Sequence, residues 1–203
     1  MDRKLKDLKR ELGNDIITLA HYYQKQEIKD AADIIGDSYK LSVTARNARA
    51  KNIIFCGVKF MAETAAIVAG AGQHVFLPAV NAECAMAKMA REEDLHHLYS
   101  KSTLLRDSFV PVVYVNSSAE VKAFAGRYGG VACTSSNAKL IISSILNKNK
   151  KVFFIPDKNL GMNTARALGI SKSEITLIGQ GPVKSINDNT RLCVWDGFCP
   201  VHH

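Results

Sequence analysis

Long apolar runs are missing from this 203-residue sequence. None approaches the roughly 20 residues that a membrane-spanning helix requires. Metal-ribbon spacing is missing too: five cysteines are present, yet none forms a Cys-x-x-Cys pair, which argues against a zinc ribbon. A phosphate loop is also lacking. Gly179-Gln180-Gly181 runs straight into Pro182, and no helical pattern opens behind it. The net charge of +8 is not accompanied by a nucleic-acid signature, because the basic residues are spread along the chain. The two densest groups, at 3–10 and 148–151, carry no interleaved aromatics on which bases could stack. Such charge reads as solvated surface, and a basic protein also suits a small anionic substrate. The first ten residues, Met1 to Arg10, are charged throughout and unlike a secretory leader, so the expected address is the cytoplasm.

What is present is ordinary globular material. Hydrophobic residues make up 47% and charged residues 23%, enough chain and apolar mass for two small domains. The cysteine count is odd, which together with a cytoplasmic address argues against a disulfide framework. Cys56, Cys133 and Cys193 lie in apolar strand settings and read as packing residues. Cys84 and Cys199 differ, since each sits in a loop after a strand, where backbone amides can hold a thiolate.

Short, continuously apolar runs alternate with helical patterns. Strands are expected at 15–20, 52–56, 74–78, 110–115, 131–133 and 152–155, with helices near 27–35, 38–50, 61–70, 118–127, 136–147 and 160–168. Apolar strands without in–out alternation suit parallel sheets covered on both faces, so the expected fold is α/β with repeated three-layer αβα units. The chain also resembles itself. Cys56-Gly57-Val58 and Cys133-Thr134-Ser135 both end a strand and lead into a helix 77 residues apart, and the strand beginning at His74 recurs at Lys151. Two units are expected, 1–100 and 101–203, joined around 95–108. The segment 169–192 departs from the pattern, and its stretches Gly179-Gln180-Gly181-Pro182 and Ser185-Ile186-Asn187-Asp188-Asn189 read as a surface loop.

In parallel α/β sheets ligands bind beyond the carboxyl ends of the strands. Those ends are polar here: His21 and Tyr23 after the first strand, Gly36-Asp37-Ser38 before a helix, Tyr114 and Asn116, and Thr134-Ser135-Ser136-Asn137. Hydroxyls at helix starts can cradle a carboxylate or phosphate. Helix capping explains Ser38 and Ser135 equally well, and His21 reads as either a core residue or a proton carrier.

Eight segments together give the chain a family resemblance. They are Ala20-His21-Tyr22-Tyr23-Gln24, Gly36-Asp37-Ser38, Phe60-Met61-Ala62-Glu63-Thr64, Asn81-Ala82-Glu83-Cys84-Ala85-Met86-Ala87, Tyr114-Val115-Asn116-Ser117-Ser118-Ala119-Glu120, Cys133-Thr134-Ser135-Ser136-Asn137-Ala138, Pro156-Asp157-Lys158-Asn159-Leu160-Gly161 and Gly197-Phe198-Cys199-Pro200-Val201-His202. In order and spacing they resemble quinolinate synthase. The resemblance implies three αβα units around a pseudo-threefold axis, of which this chain covers the N-terminal two. It also implies a [4Fe–4S] cluster taking one cysteine from each unit, here Cys84 and Cys199, with one iron open as a Lewis acid. The implied reaction condenses iminoaspartate with dihydroxyacetone phosphate to quinolinate for NAD biosynthesis, losing phosphate and water. By the same resemblance His21, Ser38, Tyr114, Asn116, Ser135 and His202 hold substrate, and Tyr23 and His21 assist proton transfers. L-aspartate oxidase or aspartate dehydrogenase is the implied functional partner, with no nucleic acid or membrane involved.

In the family a further stretch follows the Cys-x-x-His segment, carrying a His-Pro-Glu motif, a Ser-Thr pair and the third cluster cysteine, so this chain is expected to be truncated and inactive alone. The alternative is a two-domain homologue that binds a small anionic metabolite without cluster chemistry.

Overall fold

Leu19 and Ala20 have no exposed surface, because the strand that carries them is interior to its sheet and two helices pack against it. That strand is β1 (Ile16–His21), preceded by helix α1 (Arg3–Leu12). There follow α2 (Gln26–Ala31), β2 (Ile34–Gly36), α3 (Ser38–Asn47), β3 (Asn52–Cys56), α4 (Lys59–Val68) and β4 (His74–Phe76). All pairings are parallel, in the order β2-β1-β3-β4, and helices flank the sheet. The structure is a computed structural model that describes residues 3–179 and 186–199.

A second parallel sheet has the order β6-β5-β7-β9-β8. It is built from α5 (Glu92–Lys101), α6 (Thr103–Ser108), β5 (Phe109–Tyr114), α7 (Ala119–Arg127), β6 (Val131–Cys133) and α8 (Ala138–Leu146), then β7 (Lys151–Ile155), α9 (Lys158–Ala167), β8 (Ile175–Ile178) and β9 (Leu192–Trp195). Its core gathers Tyr99, Phe124, Phe153 and Trp195, with Tyr99 edge-on to Phe124 at 4.8 Å. The expected α/β class with repeated αβα units is what the chain adopts.

The two units are Met1–Cys84 and Ala85–His203. The division thus falls earlier than the junction expected at 95–108. Leu95, Leu98 and Tyr99 of α5 are buried in the second core, and α5 packs on α7.

The repeat is real, but its register differs from the 77-residue offset in the sequence. That offset equates β3 with β6 and β4 with β7, yet β3 is an interior strand and β6 an edge strand. Strand order instead equates β1, β2 and β3 with β5, β6 and β7. The offset was misleading because an apolar strand ending in cysteine before a helix is a generic feature of any βα unit. Edge position also explains why β4 and β6 are half-exposed, where buried strands were expected: His74, Phe76, Val131 and Ala132 face solvent.

Two further expectations are corrected. Ile34–Gly36 forms β2 where a helix to residue 35 was expected, because α2 stops at Ala31 and the Asp33 carboxylate accepts from the Thr18 backbone N–H at 2.7 Å. The segment 169–192, where no strand was expected, contains β8, which pairs along its length with β9; the stretch read as a surface loop lies partly outside the described residues.

Candidate active site at the strand ends

In the first unit, β1 ends at His21, in register with Gly36 at the end of β2. His21 is only 6% exposed, and its Nδ1 has no hydrogen-bond partner. The Tyr23 ring lies against the imidazole, 3.6 Å between centroids and tilted 39°, while Tyr23 itself is 67% exposed. Burial lowers the His21 pKa below its ordinary value, and the nearby Asp37 carboxylate opposes that shift. At neutral pH the ring is therefore uncharged, with a donor and an acceptor nitrogen.

The serine beside it is not a cap. Asp37 caps α3, its Oδ1 accepting from the Lys40 N–H at 2.7 Å, so Ser38 stands as the first helical residue. The capping account offered for Ser38 is thereby removed.

The second unit repeats the layout. Tyr114 ends β5 in register with Cys133 at the end of β6. Its phenol is hydrogen-bonded with the Ser135 side chain. Burial pushes the phenol pKa well up, and the neighbouring Asp157 carboxylate pushes it further, so the group is a neutral donor throughout the physiological range. Asn116 is half-buried in the turn after β5, which is fastened by Ser117 donating to the Tyr114 carbonyl at 2.8 Å. Ser135 is not a cap either: the residue before α8 is Asn137, whose side chain accepts from the Thr134 N–H at 2.7 Å. His202 lies outside the described residues.

The cysteines sort by topology. Cys133 and Cys193 are buried in strands, and desolvation pushes each thiol up to about 12. Burial also raises Cys56, which is half-buried at the end of β3. Cys84 and Cys199 are half-buried in loops. Each follows the strand that lies beside β3 or β7, namely β4 and β9. The two loop cysteines thus hold equivalent places in the repeat.

Each loop is tied to the helix after the third strand of its sheet. The Lys59 N–H, at the start of α4, donates to the Ala82 carbonyl at 2.7 Å. The Lys158 N–H, at the start of α9, donates to the Gly197 carbonyl at 2.6 Å. Both acceptors stand two residues before the cysteine. The Cys199 loop has more ties: Asn159 Nδ2 donates to the Cys199 carbonyl at 3.1 Å, Lys158 pairs with Asp196, and the Phe198 N–H points at Met89 Sδ at 3.3 Å. Fully buried Asp157 caps α9 and bridges to Gly197. In the sequence the Pro156-Asp157-Lys158-Asn159 motif carries no assigned role. The signal available was its position, directly after β7, where Gly57-Val58-Lys59 follows β3 in the first unit.

The family model for Quinolinate synthetase A protein matches residues 3–203. The chain belongs to that family. Among similar proteins, quinolinate synthase from Corynebacterium glutamicum is 38% identical over 211 residues, covering all of this chain and 53% of the relative. The Listeria monocytogenes serotype 4b protein is 40% identical over 210 residues, covering all of this chain and 57% of the relative. That of Bacillus pumilus is 39% identical over 208 residues, with 56% of the relative covered. The chain spans about half the length of the curated relatives it matches.

Thiol ligation fits the residues present in kind. Among the described residues no three His, Cys, Asp or Glu side chains gather as a metal-holding group. Each unit by itself offers one loop cysteine, in the same topological place, and the remaining cysteines are strand residues whose burial disfavours the thiolate. No helix of the described residues is long and apolar enough to cross a membrane.

Proposed function

We propose that this chain forms two αβα units of a quinolinate synthase, which condenses iminoaspartate with dihydroxyacetone phosphate to make the pyridine ring of NAD. The reading rests on family membership and on one structural observation: the two loop cysteines occupy equivalent places after β4 and β9. Cys84 and Cys199 would each give one thiolate to a [4Fe–4S] cluster. When bound, such a cluster supplies a Lewis-acidic iron that polarises substrate oxygen or nitrogen.

The chain's own residues do the rest. Tyr114 stays protonated and donates to a carboxylate or phosphate oxygen of the substrate, with Ser135 orienting its phenol. Asn116, on the same turn, offers amide donors and an acceptor to carboxylate and hydroxyl groups. Neutral His21 binds through its unpartnered nitrogen and takes or returns a proton there. Tyr23 covers the imidazole, keeping water from it, and its phenol assists the same transfers. Ser38, at the start of α3, adds a hydroxyl beside backbone N–H groups that favour an anion. The substrates are anionic, which suits the +8 charge of the chain. An aspartate-oxidising enzyme would furnish the unstable imine.

The test is an anaerobic quinolinate assay on the protein from its complete reading frame, with iminoaspartate generated from oxaloacetate and ammonia. Tyr114→Phe should lower turnover by about 10²–10³, the range for losing one preorganised donor to developing charge. A wild-type protein that binds the anions yet makes no quinolinate would favour the metabolite-binding alternative.

A further inference from the structure

The Cys199 loop is tied at several points to the start of α9 and to Met89. Four kinds of contact converge on residues 196–199 from within the second unit. The backbone Lys158 N–H and a bridge from Asp157 hold Gly197. The Lys158 side chain pairs with Asp196. Met89 receives the Phe198 N–H on its sulfur and the Trp195 indole N–H on its carbonyl, the latter at 2.8 Å. Asn159 reaches the cysteine itself, its Nδ2 donating to the Cys199 carbonyl.

Asn159 is fixed at its other end too. Its backbone N–H donates to Asp157 Oδ1 at 2.9 Å, so the carboxamide projects from the pinned first turn of α9. A side chain anchored there measures the distance from the helix start to the cysteine backbone. The first unit shares the backbone clamp, from Lys59 to Ala82, but places Phe60 where Asn159 stands. Phe60 is buried and carries no side-chain donor. The carboxamide is thus an addition specific to the second cysteine.

We propose that Asn159 is a positioning residue for Cys199, setting where the thiol stands by holding its carbonyl. The proposal rests on the reading of Cys199 as a cluster ligand. It makes the two loop cysteines unequal: Phe60 offers the Cys84 loop no side-chain donor, whereas Asn159 adds one to the clamp at Cys199. Loss of the carboxamide frees the end of the loop without touching the core, since Asn159 is half-buried at a helix start.

The experiment uses the complete protein, metal-free and then reconstituted, as wild type, Asn159→Leu and Asn159→Gln. In the metal-free protein, iodoacetamide alkylation is followed by peptide mass spectrometry at Cys84 and Cys199. Asn159→Leu should speed alkylation of Cys199 by roughly three- to tenfold, the factor for one net hydrogen bond. Cys84 should not change, and the melting temperature should stay nearly constant. Asn159→Gln, which keeps the donor, should restore part of the protection. In the reconstituted protein reduced with dithionite, Asn159→Leu should shift the cluster's electron paramagnetic resonance spectrum. Unchanged Cys199 alkylation, or equal acceleration at Cys84, would overturn the proposal. The alkylation arm reads Asn159 even if no cluster forms, whereas a wild type that never takes up iron overturns the ligand reading alone.

Discussion

The backbone N–H of Lys158 donates to the carbonyl of Gly197 at 2.6 Å, two residues before Cys199. This contact needs the glycine. A Cβ on Gly197 would lie 2.5 Å from the Pro156 carbonyl oxygen and 3.1 Å from Met89 Cβ. Gly197→Ala must therefore push the loop off α9. The expected result is faster alkylation of Cys199 and loss of iron uptake, while far-ultraviolet circular dichroism shows an intact second sheet. Retained protection at Cys199 would show that the loop tolerates displacement.

Thiol burial predicts an order of modification. In metal-free protein at mildly alkaline pH, Cys84 and Cys199 should be alkylated first, Cys56 more slowly, and Cys133 and Cys193 only on unfolding. The last two have thiols pushed up to about 12 by burial, so almost none is ionised under those conditions. Mass spectrometry of timed samples checks the sequence.

His21 should make stability depend on pH. Its pKa is lowered in the folded state from an unfolded value near 6.5. Its contribution is thus complete above about pH 6.5 and is lost as pH falls towards the folded value, because the unfolded chain then binds a proton that the folded chain resists. Denaturant titrations between neutral and mildly acid pH should show this slope. His21→Gln should flatten it. An equal slope in the variant would assign the dependence to other groups.

Asp157 and Tyr114 give a separable test. Asp157→Asn keeps a side chain able to cap α9, so stability should fall by no more than about 1 kcal/mol. It also removes the negative charge that raises the Tyr114 pKa. Tyrosinate absorbance should then show Tyr114 ionising at lower pH than in wild type, though still above an ordinary tyrosine because burial is the larger cause. No change in the titration would mean that Asp157 does not act on the phenol.

The sequence made the α/β class legible because short apolar runs such as Ile53-Ile54-Phe55 and Val152 to Ile155 alternate with helical patterns, as parallel sheets flanked by helices require. It could not reveal β2, since three residues at 34–36 carry too little pattern to compete with the helix before them. The register of the repeat was hidden for a related reason. Cys56 and Cys133 resemble each other locally, while their strands differ in the non-local property of which neighbours they pair with. Polar strand ends were readable as residue types, and the resemblance singled out His21, Tyr114 and both loop cysteines. The parts that hold those residues were not readable. Asn159 and Met89 act through contacts 40 and 109 residues away along the chain, to Cys199 and Phe198.

The proposed assignment of Cys84 and Cys199, and not the strand cysteines, as cluster ligands is tested most directly by metal content. Iron and acid-labile sulfide should be counted after anaerobic reconstitution of the complete protein, as wild type, Cys84→Ser, Cys199→Ser and Cys56→Ser. Wild type and Cys56→Ser should be brown and make quinolinate, whereas Cys84→Ser and Cys199→Ser should each lose both chromophore and activity. A full complement of iron and sulfide in Cys84→Ser or Cys199→Ser would contradict it.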